Sequence, residues 1–252
     1  MSAIELNARP SSTYTQKLAE AQSVLSQAAA QFGPAEPGQA ARITQACSLG
    51  AEDLVITDLI NRLQLNVGIF VLETGRLHAQ TLDLLHRMQA SSRTPVEVFR
   101  PVETAVVAFV EREGADAMFK SIALRKACCN VRKMEPLARA LSGKDAWITG
   151  LRREQSGARA DVPLVDTSEA RTKINPLANW TWGDVWHYIR ENHVDYNPLH
   201  DAFFPSIGCE PCTRAISLGE DFRSGRWWWE DEAAKECGLH VKATPLPEKT
   251  PS

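Results

Sequence analysis

Four of the chain's six cysteines fall in two tight pairs, and this constrains the fold more than any other feature of the sequence. Cys128 and Cys129 lie in Lys126-Ala127-Cys128-Cys129-Asn130-Val131-Arg132-Lys133. Cys209 and Cys212 lie in Gly208-Cys209-Glu210-Pro211-Cys212-Thr213-Arg214. A fold that brings the distant pairs together makes a four-sulfur pocket, which suits a metal. The two-residue gap of Cys209 and Cys212 fits either one zinc ion or two corners of an iron-sulfur cluster. Adjacent side chains on a helix diverge by about 100°. Cys128 and Cys129 therefore reach one tetrahedral zinc only under strain, whereas a cubane offers separate irons. The expectation is a [4Fe-4S] cluster on all four thiols. Core filling, or a redox switch at the adjacent pair, is the competing reading. Basic residues beside both pairs weigh against it.

The other bounds are looser. A chain of 252 residues, 44% hydrophobic, can bury one substantial domain. A net charge of −3 gives no global attraction to nucleic acid. No run approaches the roughly 18 apolar residues of a membrane span, and Met1 to Pro10 lacks the apolar core of a signal peptide. A cytoplasmic protein with no membrane or nucleic-acid partner is expected, in a reducing compartment where thiols serve metals and chemistry.

Along the chain, Tyr14 to Phe32 reads as an amphipathic helix, closed by Gly33-Pro34 and Pro37-Gly38. Short apolar runs then alternate with helical patterns: Arg42 to Cys47, Asp53 to Leu63, Val67 to Leu72, Leu77 to Met88, Val96 to Phe99 and Val102 to Arg112. That rhythm is βαβ, so the fold class is α/β around a parallel sheet. A helix from about Phe119 to Leu141 carries the first cysteine pair, and Ala146 to Thr149 reads as another strand. Trp180, Trp182, Trp186 and Tyr188, on or beside a helix over Thr181 to Arg190, read as core aromatics. His187, His193 and His200 have no metal-ligand spacing, and Cys47 at a strand end reads as structural. The expected divisions are an N-terminal helical segment over 1–38, a nucleotide-binding domain over 39–216 and a mobile tail over 217–252 that docks and undocks.

Ligands of open α/β sheets sit beyond the carboxyl ends of the strands. Three such places stand out. Ser48-Leu49-Gly50-Ala51-Glu52-Asp53 is a small-residue turn into a helix, where backbone N–H groups can hold an anion. Leu72-Glu73-Thr74-Gly75 ends the next strand. Gly150 to Arg159 offers Arg152, Arg153 and Arg159 with Gln155 and Ser156, and arginine forks match phosphate and sulfate oxygens.

In this order the pieces resemble the sulfonucleotide reductases, the assimilatory enzymes that reduce adenylyl sulfate or its 3′-phosphorylated form to sulfite. The resemblance runs from about Cys47 to His240. It rests on the loop Ser48 to Asp53, the strand end Leu72 to Gly75, Cys128-Cys129, the arginine loop, Cys209 to Cys212, and Glu236-Cys237-Gly238-Leu239-His240. It implies a fold related to the adenine-nucleotide alpha-hydrolase, or PP-loop, group. It implies that Cys237 is the catalytic nucleophile, passing through an S-sulfocysteine that thioredoxin or glutaredoxin resolves. It implies substrate contacts from Ser48, Gly50, Ala51, Glu52, Asp53, Leu72, Thr74, Gly75, Lys133, Gly150, Arg152, Gln155, Ser156, Arg159, Arg223, Arg226, Trp227 and His240. The cluster would order or tune the site without changing oxidation state.

Two departures bear on the substrate. PP-loop relatives that split ATP carry Ser-Gly-Gly-x-x-Ser, whereas here Ala51 replaces the second glycine and Glu52 and Asp53 follow. Carboxylates there would repel a triphosphate more than a phosphosulfate. Glu73 stands where the family often has aspartate. Within the family the two cysteine pairs accompany the unphosphorylated nucleotide, so adenylyl sulfate is the expected substrate and its 3′-phosphate form the alternative. An ATP-activating PP-loop enzyme and a non-catalytic iron-sulfur sensor are the other classes. A homo-oligomer stays open.

Overall fold

The computed structural model describes residues 1–34, 36 and 39–230. Cys237 and His240 therefore lie outside the described residues.

The βαβ rhythm forms as expected. Strands β1 (Ile43–Cys47), β2 (Gly68–Leu72), β3 (Val96–Phe99) and β4 (Ala146–Ile148) are parallel neighbours, joined in the sheet by β5 (Val165–Asp166) and β6 (Thr172–Ile174). The sheet order is β3-β2-β1-β4-β6-β5, and only the β5–β6 pair is antiparallel. The order reverses between β1 and β4. A crevice beyond the carboxyl ends of the strands at such a switch point is where open α/β sheets hold ligands.

Helices cover the sheet: α1 (Ala3–Asn7), α2 (Tyr14–Phe32), α3 (Ala51–Arg62), α4 (Ala79–Ser91) and α5 (Glu103–Glu113), then α6 (Ile122–Cys129), α7 (Glu135–Ala140) and α8 (Trp182–Asn192). Helix α3 is buried on nearly every side, so it reads as an apolar run with small interruptions. The N-terminal segment shares this core, because Ala21, Leu25 and Ala28 of α2 pack in the cluster that holds β1, α3 and α8. Asp184, in the first turn of α8, fixes that union. Its carboxylate accepts from Lys17 Nζ at 2.9 Å, from the Ser11 amide at 2.7 Å and from the Thr181 amide at 2.9 Å. Burial raises its pKa, but these donors outweigh burial and hold it at about 2.

Helix α1 goes beyond the sequence reading. Its signal was the Ser2-x-x-Glu5 capping box, in which Ser2 Oγ accepts from the Glu5 amide and Glu5 returns a bond to the Ser2 amide. The expected helix from Phe119 to Leu141 is broken. A 3₁₀ turn (Ala117–Phe119) precedes α6, and a π turn (Asn130–Met134) separates α6 from α7. Pro136 has no N–H for the Arg132 carbonyl, so an α-helical ladder cannot run through this point. The widened turn absorbs the defect directly after the adjacent cysteines.

Candidate active site

A cavity of about 200 Å³ opens at the carboxyl ends of β1, β2 and β4, with Ser48, Leu72 and Gly150 among its lining residues. Its lining includes the apolar Phe70, Val71, Leu72, Leu137 and Trp147. It also includes four cations, Lys133, Arg159, Arg223 and Arg226. Apolar residues and several cations lining one cavity suit a nucleotide with its anionic end.

The loop after β1 is pinned from below. Leu49 takes a left-handed backbone conformation (φ 63°) while wholly buried, a strained state that the surrounding packing must maintain. Asp53 Oδ2 accepts from the Ser48 amide at 2.7 Å and from Ser48 Oγ at 2.6 Å. Burial raises the Asp53 pKa and Glu52 raises it further. Bonds from Ser48 and from the Gly150 amide lower it, and it settles at about 6. Gly150 must be glycine here, since a Cβ would overlap Asp53 Oδ1 and meet Glu52 Cβ at 3.0 Å.

Glu52 is not a bare charge at the rim. Arg152 Nε donates to Glu52 Oε1 at 2.9 Å and Gln155 Nε2 donates to the same oxygen at 3.0 Å. The repulsion argued from sequence against a triphosphate is therefore weaker than two free carboxylates would give. Arg152 is fully buried and spends its fork on Glu52 and Glu154, so it supports the rim instead of lining the cavity. Arg159 does line it, its Nη1 donating to Gln155 Oε1 at 2.6 Å.

Of the expected substrate contacts, Ser48, Gly50, Glu52, Asp53, Leu72, Thr74, Lys133, Gly150, Gln155, Arg159, Arg223, Arg226 and Trp227 line this one cavity. Ala51, Gly75, Arg152 and Ser156 do not. Phe70, Trp147 and Phe222 line it without having been singled out in the sequence, where the first two read as ordinary strand positions and Phe222 fell in the expected mobile tail. Cys47 also borders it, but burial pushes its thiol far up and keeps it neutral, in keeping with a structural role.

The cysteine pairs meet behind the cavity. The Gly208–Arg214 loop docks on the turn after β2: the Glu210 amide donates to the Arg76 carbonyl at 2.8 Å, and Thr74 Oγ1 lies 3.2 Å from Cys209 Sγ. Cys128, Cys209 and Cys212 pack in one cluster with Trp227. Cys129 is near enough to Cys212 to raise its pKa, though burial and Cys209 raise it more. Arg132 bonds the Cys128 thiol and, through Nη1, the Thr74 carbonyl at 2.7 Å. Lys133 lines the cavity and lowers the Cys212 pKa, so it stands between the two compartments. Among the described residues, no group of three or more His, Cys, Asp and Glu converges as a single-ion site. Arg125, Arg132 and Lys133 lie beside the thiols of Cys129, Cys128 and Cys212, so an anionic group held there would be balanced. Among the described residues no helix is long and apolar enough to cross a membrane.

Comparison with known proteins follows the same lines. The Phosphoadenosine phosphosulfate reductase domain family matches residues 42–215. An adenosine 5′-phosphosulfate reductase of Allochromatium vinosum is 52% identical over 200 residues, covering 79% of this chain and 78% of that protein. One from Burkholderia cepacia is 50% identical over 209 residues, covering 82% and 84%. Among solved structures, a phosphoadenylyl-sulfate reductase of Candida auris in a phosphate complex superposes with a TM-score of 0.63 at 28% identity, covering 79% of this chain and 92% of that one. The FMN adenylyltransferase of Candida glabrata, at 11% identity and a TM-score of 0.56, shares the fold alone. By the extent of the match and the identity of its relatives, the chain belongs to the phosphoadenosine phosphosulfate reductase domain family.

Proposed function

We propose that the chain reduces adenylyl sulfate to sulfite and AMP, with Cys237 as nucleophile and a thioredoxin-class dithiol as reductant. The observation that carries this reading is one cavity at the sheet's switch point whose lining combines apolar residues with four cations, and which Trp227 and Lys133 connect to the cysteine set. The unphosphorylated nucleotide is preferred because relatives at 50% identity and above bear that name.

The adenine lies along Phe70, Leu72 and Trp147, and the phosphosulfate faces Lys133, Arg159, Arg223 and Arg226. The Cys237 thiolate attacks the sulfate sulfur, an S–S bond forms, and the S–O bond to phosphate breaks with its electron pair leaving on AMP. A reductant thiolate then attacks Cys237 Sγ, and sulfite departs with the electron pair of the S–S bond. The reductant's second thiol resolves the mixed disulfide and returns Cys237 as a thiol, a two-electron reduction overall. Residues 39–216 form the nucleotide-binding unit, and 217–252 deliver Cys237. Cys128, Cys129, Cys209 and Cys212 would hold a [4Fe-4S] cluster, which would supply a fixed local charge. Reaction with a thioredoxin-class partner fits a reducing, cytoplasmic setting.

Incubating the protein with adenylyl sulfate and no reductant, then mapping peptides by mass, tests the reading. Sulfonate on Cys237 with one equivalent of AMP is expected; sulfonate on another cysteine, or on none, overturns it.

A further inference from the structure

Glu230 closes the described chain, seven residues before Cys237, and it is firmly held. Its side chain is 2% exposed and receives the Arg125 guanidinium side-on, Nε to Oε1 at 2.9 Å and Nη2 to Oε2 at 2.7 Å. Arg125 is equally buried and stands on α6, three residues before Cys128. The same guanidinium bonds the Cys129 thiol and lies 4.5 Å from the Trp227 ring centre. Trp227 is itself buried, its amide donates to the Cys212 carbonyl at 3.2 Å, and Arg226 of the cavity lies 4.8 Å from its ring. One side chain thus touches the first cysteine pair and the root of the segment that carries Cys237.

We infer that the Arg125–Glu230 pair is a positioning device that fixes where the Cys237-bearing segment leaves the protein relative to the cysteine set and the cavity. The inference rests on the proposed role of Cys237. A buried ion pair is a poor way to gain stability, because apolar side chains of similar volume do as well or better once desolvation is counted. A bidentate fork does supply direction. Seven residues span at most about 25 Å, so the position of Glu230 bounds the reach of Cys237. Arg226 shares the Trp227 ring with Arg125 but has its own anchors: Nη1 donates to the Ile207 carbonyl at 3.0 Å, and a backbone bridge joins it to Thr213. Disturbing Glu230 should therefore change delivery of the thiol more than nucleotide binding.

The test uses the metal-loaded protein as wild type, Glu230→Gln and Glu230→Asp. Four quantities are read: the single-turnover rate of Cys237 sulfonation by adenylyl sulfate, AMP affinity, iron content, and hydrogen exchange at residues 223–230. Glu230→Asp keeps the charge, so the fold survives, but it shortens the reach by one methylene. Misplacing a reacting group's support by about 1 Å can cost up to about 100-fold, and a fall of about ten-fold in sulfonation is expected for both variants. AMP affinity within two-fold of wild type, unchanged iron content and faster exchange confined to 227–230 are expected alongside it. Full-rate sulfonation in Glu230→Asp would mean that the pair only neutralises buried charge, and would overturn the inference. So would losses of iron and AMP binding in proportion to rate. If the wild type itself forms no Cys237 adduct, the nucleophile assignment fails and takes the inference with it. An adduct that forms equally fast in all three proteins removes the inference alone.

Discussion

Asp53 shows how a single carboxylate holds the loop after β1 in shape. It accepts from the Ser48 amide and hydroxyl and from the Gly150 amide, and burial leaves its pKa at about 6 against an ordinary 3.8. Between pH of about 4 and 6 the folded protein keeps a proton that the unfolded chain has lost, so stability falls as pH rises through that window. Asp53→Asn cannot titrate and has one acceptor oxygen fewer. Its stability deficit against wild type, from urea unfolding, should be greatest near pH 4 and shrink by pH 7. A deficit that does not vary with pH would mean that Asp53 stays ionised throughout. The sequence placed this residue at an anion site, but its carboxylate faces the loop's own donors. Composition and spacing cannot distinguish those orientations, because the deciding contact, Gly150, lies almost a hundred residues away.

Among the elements, the α6–π–α7 stretch and the Gly208–Arg214 loop matter most, because neither makes a site alone. The cysteine pairs were legible from their spacing, and so were the strand ends that line the cavity. The π turn was hidden: its cause, Pro136, sits inside an otherwise helical pattern, and the response of the backbone depends on packing. The Arg125–Glu230 pair was equally hidden, since nothing local marks a partnership across 105 residues. Cys212→Ala, made and reconstituted anaerobically, is expected to lose most bound iron and acid-labile sulfide and the visible absorbance that goes with them. Retention of stoichiometric iron without that thiol would contradict its assignment as a ligand.

For the whole molecule, the parallel sheet follows from alternating apolar runs, whereas the strand order, which sets the switch point and the cavity there, came only with the structure. The sequence reading set residues 1–38 apart, yet α2 packs into the same core as β1 and is tied in by Lys17 and Asp184. Such tertiary docking is invisible in an amphipathic pattern that would suit any helix. Asp184→Ala leaves Lys17 without its carboxylate partner and removes one half of the α8 capping box, and should cost about 3 kcal/mol or more in denaturant unfolding. Because the folded pKa of Asp184 is near 2, its contribution is fully present above the ordinary value of 3.8 and fades as pH falls towards 2. The variant's deficit should therefore shrink in acid, and a deficit that grows there would contradict the ion pair.

The most direct test of the proposed activity is sulfite release with reduced thioredoxin, using anaerobically purified wild type and Cys237→Ser, each supplied with adenylyl sulfate and with its 3′-phosphorylated form. The expected result is turnover of adenylyl sulfate by the wild type, much slower turnover of the phosphorylated form, and none by the variant. Preference for the 3′-phosphorylated nucleotide would overturn the substrate while keeping the chemistry. Sulfite release by Cys237→Ser at the wild-type rate would contradict the nucleophile, and with it the central claim.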